Sequence, residues 1–120
     1  MSLKLRIILV LLMVWLCLYG FAQQDFIGTS SVRNYSRSEI NAGIQNWGIQ
    51  QANNGKMYFA NNSGLLEFDG VNWRIFPITN NGLVRSLHIE IDGIIHSGGF
   101  NEIGYYQEDE NGFYAFHSIK

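Results

Sequence analysis

The sequence predicts an all-β chain: an incomplete β-propeller of about two four-stranded blades, following an N-terminal signal helix. Three observations predict it. Aromatic residues make up 14% of the 120 residues and there are 13 Gly against one Pro, a balance of strand formers and turn formers. Short apolar alternations run from Trp47 onward, cut every eight to twelve residues by Asn-, Asp- and Gly-rich turns. The pattern then recurs about forty residues later, which is the size of one propeller blade.

The first 22 residues are set apart. Lys4 and Arg6 precede an unbroken apolar run from residue 7 to 22, closed by the small residues Gly20 and Ala22. A positive start, an apolar stretch and a G-x-A end are the pattern of a secretory signal peptide, cleaved after Ala22. An uncleaved anchor is the alternative, although the run falls short of the ~20 residues that cross a bilayer comfortably. Cys17 follows Leu16 rather than a small residue, so it reads as leader filler and not as a lipid-attachment site.

Removal of the leader leaves six Lys and Arg against ten Asp and Glu, a net charge of −4. It also leaves no cysteine, hence no disulfide framework and no thiol nucleophile. A mildly acidic exported chain lacks the clustered cations that phosphate contacts need, which excludes nucleic-acid binding.

Residues 23–46 form an irregular N-terminal segment rich in Gln, Ser, Asn and Arg. Ser36 and Glu39 have capping-box spacing, which predicts a single helical turn. Residues 47–82 make the first blade. Met57 and Phe59 share one strand face and Tyr58 and Ala60 the other, with Leu66/Phe68 against Leu65/Glu67 and Trp73/Ile75 against Arg74/Phe76 in the strands that follow. Residues 83–120 make the second blade. WGIQQANNGKMYFANN (47–62) aligns with RSLHIEIDGIIHSGGF (85–100) at an offset of 38, matching Ile49 with Leu87, Gly55 with Gly93, Met57 with Ile95 and Ala60 with Gly98. Leu65 falls opposite Ile103, and Trp73–Phe76 falls opposite Phe113–Phe116 at an offset of 40. Single blades cannot bury their own faces, and propellers close with four to eight of them. The expectation is therefore that this chain is the N-terminal piece of something larger, completed by further blades.

These residues carry a resemblance. Asn41-Ala42-Gly43, Gln45-Asn46-Trp47, Met57-Tyr58-Phe59-Ala60-Asn61, Gly64-Leu65-Leu66-Glu67-Phe68-Asp69-Gly70 with Trp73, and Gly104-Tyr105-Tyr106 before Glu108–Gly112 together resemble the periplasmic sensor propeller of Bacteroidetes-type two-component regulators. In that family, propeller repeats precede a triple-tyrosine domain. The resemblance implies a propeller outside the cytoplasmic membrane, then a transmembrane helix and a histidine kinase or helix-turn-helix output domain. What it implies for this chain is ligand sensing and signal transduction. Neither kinase activity nor DNA binding transfers, because no residue here corresponds to them.

Site chemistry is sparse. His88 and His96 fall in neighbouring strands and His117 in the last, with no acidic or Cys partner at metal-ligand spacing on the same strand; the expectation is no metal and no cofactor. Glu108-Asp109-Glu110 before Asn111-Gly112 lacks the alternating acidic positions of a calcium loop and reads as a solvated hairpin turn. Asp69-Gly70-Val71-Asn72-Trp73 resembles an aspartate box but fails its spacing. Ser, His and Asp occur without a nucleophile elbow, and no carboxylate pair for glycoside hydrolysis stands out. The expectation is a non-enzyme with no catalytic residues. Asn34 and Asn61 open formal glycosylation sequons. Trp47, Trp73, Tyr58 and Tyr105 are the side chains on which a glycan could stack, with filling of the space between blades as the competing reading. The expected partner is a ligand, with a glycan among its candidate classes. The alternatives are a secreted carbohydrate-binding propeller module and a fragment of a propeller polysaccharide lyase or glycosidase.

Overall fold

A computed structural model describes residues 1–19, 28 and 30–120. The chain divides into two compact units, residues 1–33 and 34–120. In the first, helix α1 (Leu3–Tyr19) carries the apolar run, a Leu-rich sequence that no Gly or Pro interrupts. Among the described residues no helix is long and apolar enough to cross a membrane. Gly20, Ala22 and the expected cleavage site lie outside the described residues.

The second unit opens with a four-residue helix, α2 (Arg37–Ile40), held by the expected capping box. The Ser36 side chain accepts from the Glu39 amide at 3.3 Å, and the Glu39 carboxylate accepts from the Ser36 amide at 2.7 Å. Asn41 at φ 51° ends the turn in the left-handed region, which Asn tolerates better than most residues.

Eight strands follow: β1 (Asn46–Gln51), β2 (Met57–Asn61), β3 (Gly64–Phe68), β4 (Trp73–Phe76), β5 (Val84–Ile89), β6 (Ile95–Gly99), β7 (Glu102–Glu108) and β8 (Tyr114–Ser118). They form two antiparallel four-stranded sheets, ordered β1-β2-β3-β4 and β5-β6-β7-β8. Neither sheet closes into a barrel. Turn chemistry cuts the strands where the sequence predicts. Gly55 (φ 87°) and Gly93 (φ 91°) occupy equivalent β1–β2 and β5–β6 turns. In each turn a short side chain, Asn54 or Asp92, accepts from the amide two residues on.

The repeat is present at the level of register. Gly48↔Ala60↔Leu65↔Phe76 is one cross-strand row of the first sheet, and Gln50↔Tyr58↔Glu67↔Arg74 is the next. The second sheet carries Ser86↔Gly98↔Ile103 and His88↔His96↔Tyr105↔His117. Even the irregularity repeats, with a register shift between Asn46 and Gly48 and another between Val84 and Ser86. Three strands hold the offset of 38. The fourth corrects the sequence alignment: Phe68↔Trp73 corresponds to Tyr106↔Phe116, an offset of 43 rather than 40. Strand β7 runs two residues further, through Gln107 and Glu108, before its turn. The turn aspartates Asp69 and Asp109 stay 40 apart, and they drew the alignment.

The core lies between the sheets. Tyr58, Ala60, Leu65 and Phe76 from the first meet Val84, Ile95 and Tyr106 from the second, with Ile78 in the connection. Side chains alternate across a strand and the two sheets share one register, so equivalent residues point to equivalent faces. The Tyr58/Ala60/Leu65 face of the first sheet is buried, while the matching His96/Gly98/Ile103 face of the second is on the outside. The sheets are therefore stacked face to back. Two equivalent sheets in a two-fold sandwich would both bury the same face.

Candidate functional site

Two faces of the second unit remain outside the core, and they differ. On the first sheet, Phe59, Leu66, Phe68 and Trp73 face away from the second sheet. Tyr35 packs edge-on over them, with ring centroids 5.1 Å from Phe68 and 5.2 Å from Trp73. The segment carrying Tyr35 is tied down by Asn61, which is fully buried. The Asn61 side-chain amide donates to the Gly43 carbonyl at 2.8 Å and to Asn46 at 2.7 Å, and the Ser63 hydroxyl accepts from the Gly43 amide. Burial of a polar side chain is tolerable here because its hydrogen bonds are made. On the second sheet the outer face is the one bearing His96, Gly98 and Ile103, and among the described residues nothing covers it.

That open face carries two adjoining features. The first is the row His88–His96–Tyr105–His117, which brings all three histidines of the chain onto one surface. Tyr105 stacks on His117 at 5.1 Å and 20°, and Glu90 lies 3.4 Å from His96 Nε2. The second is a depression of about 260 Å³ bordered by Ser86, His88, His96, Gly98, Ile103 and Ile119. Its floor is apolar and low because Gly98 has no side chain, and its rim is imidazole and hydroxyl. Ile103 and Ile119 are more than half exposed.

On the first sheet the matching positions are buried and filled. The Tyr106 ring enters from the second sheet with no exposed surface, and its hydroxyl donates to the Phe76 carbonyl at 3.1 Å. Burial pushes its phenol pKa well above the ordinary value. Beside it lies the matching polar row. Glu67, 1% exposed, accepts from Arg74 Nε at 2.8 Å and from the Tyr58 hydroxyl at 2.8 Å, with Lys56 at 3.5 Å. Arg74 also donates to the Gly112 carbonyl of the second sheet at 3.3 Å. Burial, then the contacts with Tyr114 and Glu67, push the Tyr58 phenol far upward.

The other residues singled out in the sequence fall as follows. Tyr58 is core, and Trp73 is half-buried, stacked on Phe68 at 4.3 Å. Trp47 and Tyr105 do not fill the space between the sheets. Trp47 is exposed at the sheet edge, its indole donating to Asn62 at 2.8 Å with the Arg85 guanidinium 5.0 Å from its ring. Asp109 closes the β7–β8 hairpin by accepting from the Asn111 and Phe113 amides. Asp69 does the same for Asn72 and Val71, and those two amides hold its carboxyl below the usual range. Asn61 of the second sequon is inaccessible, whereas Asn34 is exposed. Among the described residues no group of three His, Cys, Asp or Glu is placed to hold a metal ion.

Sequence reasoning missed the common row of the three histidines and the hollow beside it. Offset arithmetic was the available signal, since His88 and His96 sit 38 residues after Gln50 and Tyr58. His117 was hidden by the longer β7–β8 hairpin. No protein-family model, curated protein or solved structure matches this chain.

Proposed function

We propose that this chain is part of a β-propeller sensing segment of a two-component-type or transmembrane transcriptional regulator. It works outside the cytoplasmic membrane and binds a ligand rather than turning one over. Face-to-back stacking of two register-equivalent sheets carries the proposal. A face-to-back stack repeats its own contact, so a third unit has a place waiting on the open face of the second sheet. The leader-like start of the sequence and its resemblance to such sensors support export and signalling. Trp47, exposed at the sheet edge, keeps a glycan among the ligand classes, since sugar rings pack on aromatic faces.

The test is the gene. An in-frame continuation with more repeats, a transmembrane helix and a kinase or DNA-binding output supports the proposal. A reporter enzyme fused after Lys120 should be active only outside the cytoplasm. A continuation into a catalytic lyase or glycosidase domain, or a reporter active in the cytoplasm, overturns it.

A further inference from the structure

The first sheet shows what its exposed counterpart on the second is built to receive. In the first, Ala60, Leu65 and Phe76 share one buried cluster with Tyr106, and the Phe76 carbonyl takes the hydroxyl of Tyr106. The second sheet has Ser86, Gly98 and Ile103 in the same register, with Ile119 bonded through its amide to the Ile103 carbonyl at 3.0 Å. Ile119 thus stands where Phe76 stands. We propose that the Gly98–Ile103–Ile119 hollow is a socket for a tyrosine side chain presented by another four-stranded unit, its hydroxyl donating to the Ile119 carbonyl. The inference rests on the reading that the sheets are successive members of one stack, and it names the chemistry of the next contact.

Three physical points favour a phenol over another occupant. A depression of about 260 Å³ has room for one ring, with apolar walls from Ile103 and Ile119 to contact it. Replacement of Ala60 by Gly98 deepens the floor at the point where the ring would lie. The rim groups His88, His96 and Ser86 stand on the side of the hollow away from the Ile119 carbonyl, so they do not occupy that acceptor.

The test uses p-cresol, the side chain of tyrosine, with the full chain. Amide and methyl resonances of Gly98, Ile103 and Ile119 should shift on titration, and toluene should bind roughly fivefold more weakly for want of the one hydrogen bond. Gly98→Val should abolish the shifts. A Cβ at Gly98 meets only the Ser86 hydroxyl, at 2.9 Å, a side chain free to turn away, so the strand should accept it. Ile119→Ala, at an exposed position, should weaken p-cresol roughly threefold through lost apolar contact and covers the case in which the valine variant misfolds. Equal binding of toluene and p-cresol, shifts elsewhere, or no shifts at all overturns the socket. Failure of the stacking reading shows separately, as a gene without further repeats.

Discussion

The two sheets hold the same rows of positions in the same register, yet one row is an ion pair in the dark and the other is imidazole in the light. Tyr58, Glu67 and Arg74 lie under the second sheet, while among the described residues nothing lies over His96, Tyr105 and His117. A carboxylate with 1% exposure is tolerable only because a guanidinium, a phenol and an ammonium surround it. What the comparison teaches is that neighbours, not strand position, set the chemistry a residue must satisfy. Equivalent substitutions should therefore have unequal costs.

The widest gap is expected at the ends of these rows. Arg74→Met strips Glu67 of its principal partner and strands a buried charge, at a cost of about 4 kcal/mol. His117→Met, its register counterpart, should stay within about 0.5 kcal/mol, as exposed substitutions do. Urea unfolding followed by tryptophan fluorescence measures both. Equal costs would mean that the second sheet's outer face is covered after all.

The apolar rows give the next contrast. Leu65 has no exposed surface and Ile103 is 55% exposed. Leu65→Ala should cost about 3 kcal/mol, part lost transfer energy and part cavity. Ile103→Ala should cost no more than about 0.5 kcal/mol.

Alkaline pH probes the buried tyrosines of the core. Tyr58 and Tyr106 have phenol pKa values raised by burial, so the native state keeps two protons that the unfolded chain gives up near pH 10. Their contribution is whole below that pH and declines as pH rises above it. By pH 11 the decline should reach about 1.4 kcal/mol for each group. Unfolding midpoints at pH 9 and pH 11 measure it. Tyr58→Phe should flatten the decline.

Much of this contrast was legible in the sequence and part was not, for identifiable reasons. Turn residues announced the strands because Gly55 and Gly93 need a positive φ that few residues tolerate. The capping box at Ser36–Glu39 was legible because it is local. The offset of 38 was legible over three strands, since the β2–β3 and β6–β7 turns have equal length. It failed at the fourth strand, where Asp109 looks like Asp69 but sits after two extra ladder positions. Burial was the hardest part. Tyr58 and Trp47 read alike as aromatics in β-strands, and only the neighbour overhead makes one core and leaves the other at an edge. The polar anchor Asn61 was invisible for the same reason, because its partners Gly43 and Asn46 are fixed by the path of the chain and not by spacing.

The smallest effect discriminates most finely, because it compares two adjacent residues of one strand. Tyr105 and Tyr106 are chemically identical neighbours on β7, pointing to opposite faces. The Tyr106 hydroxyl donates to a carbonyl of the other sheet, and the Tyr105 ring stacks on His117 at the open surface. Tyr106→Phe leaves the Phe76 carbonyl without that donor in a buried place, at a cost of about 1 kcal/mol. Tyr105→Phe removes a hydroxyl on the outward side and should change nothing measurable. Chemical denaturation resolves a difference of that size between two otherwise identical variants. If the order were reversed, the face assigned to the core would be the outer one, and the socket beside Gly98 would lie between the sheets instead of on the surface.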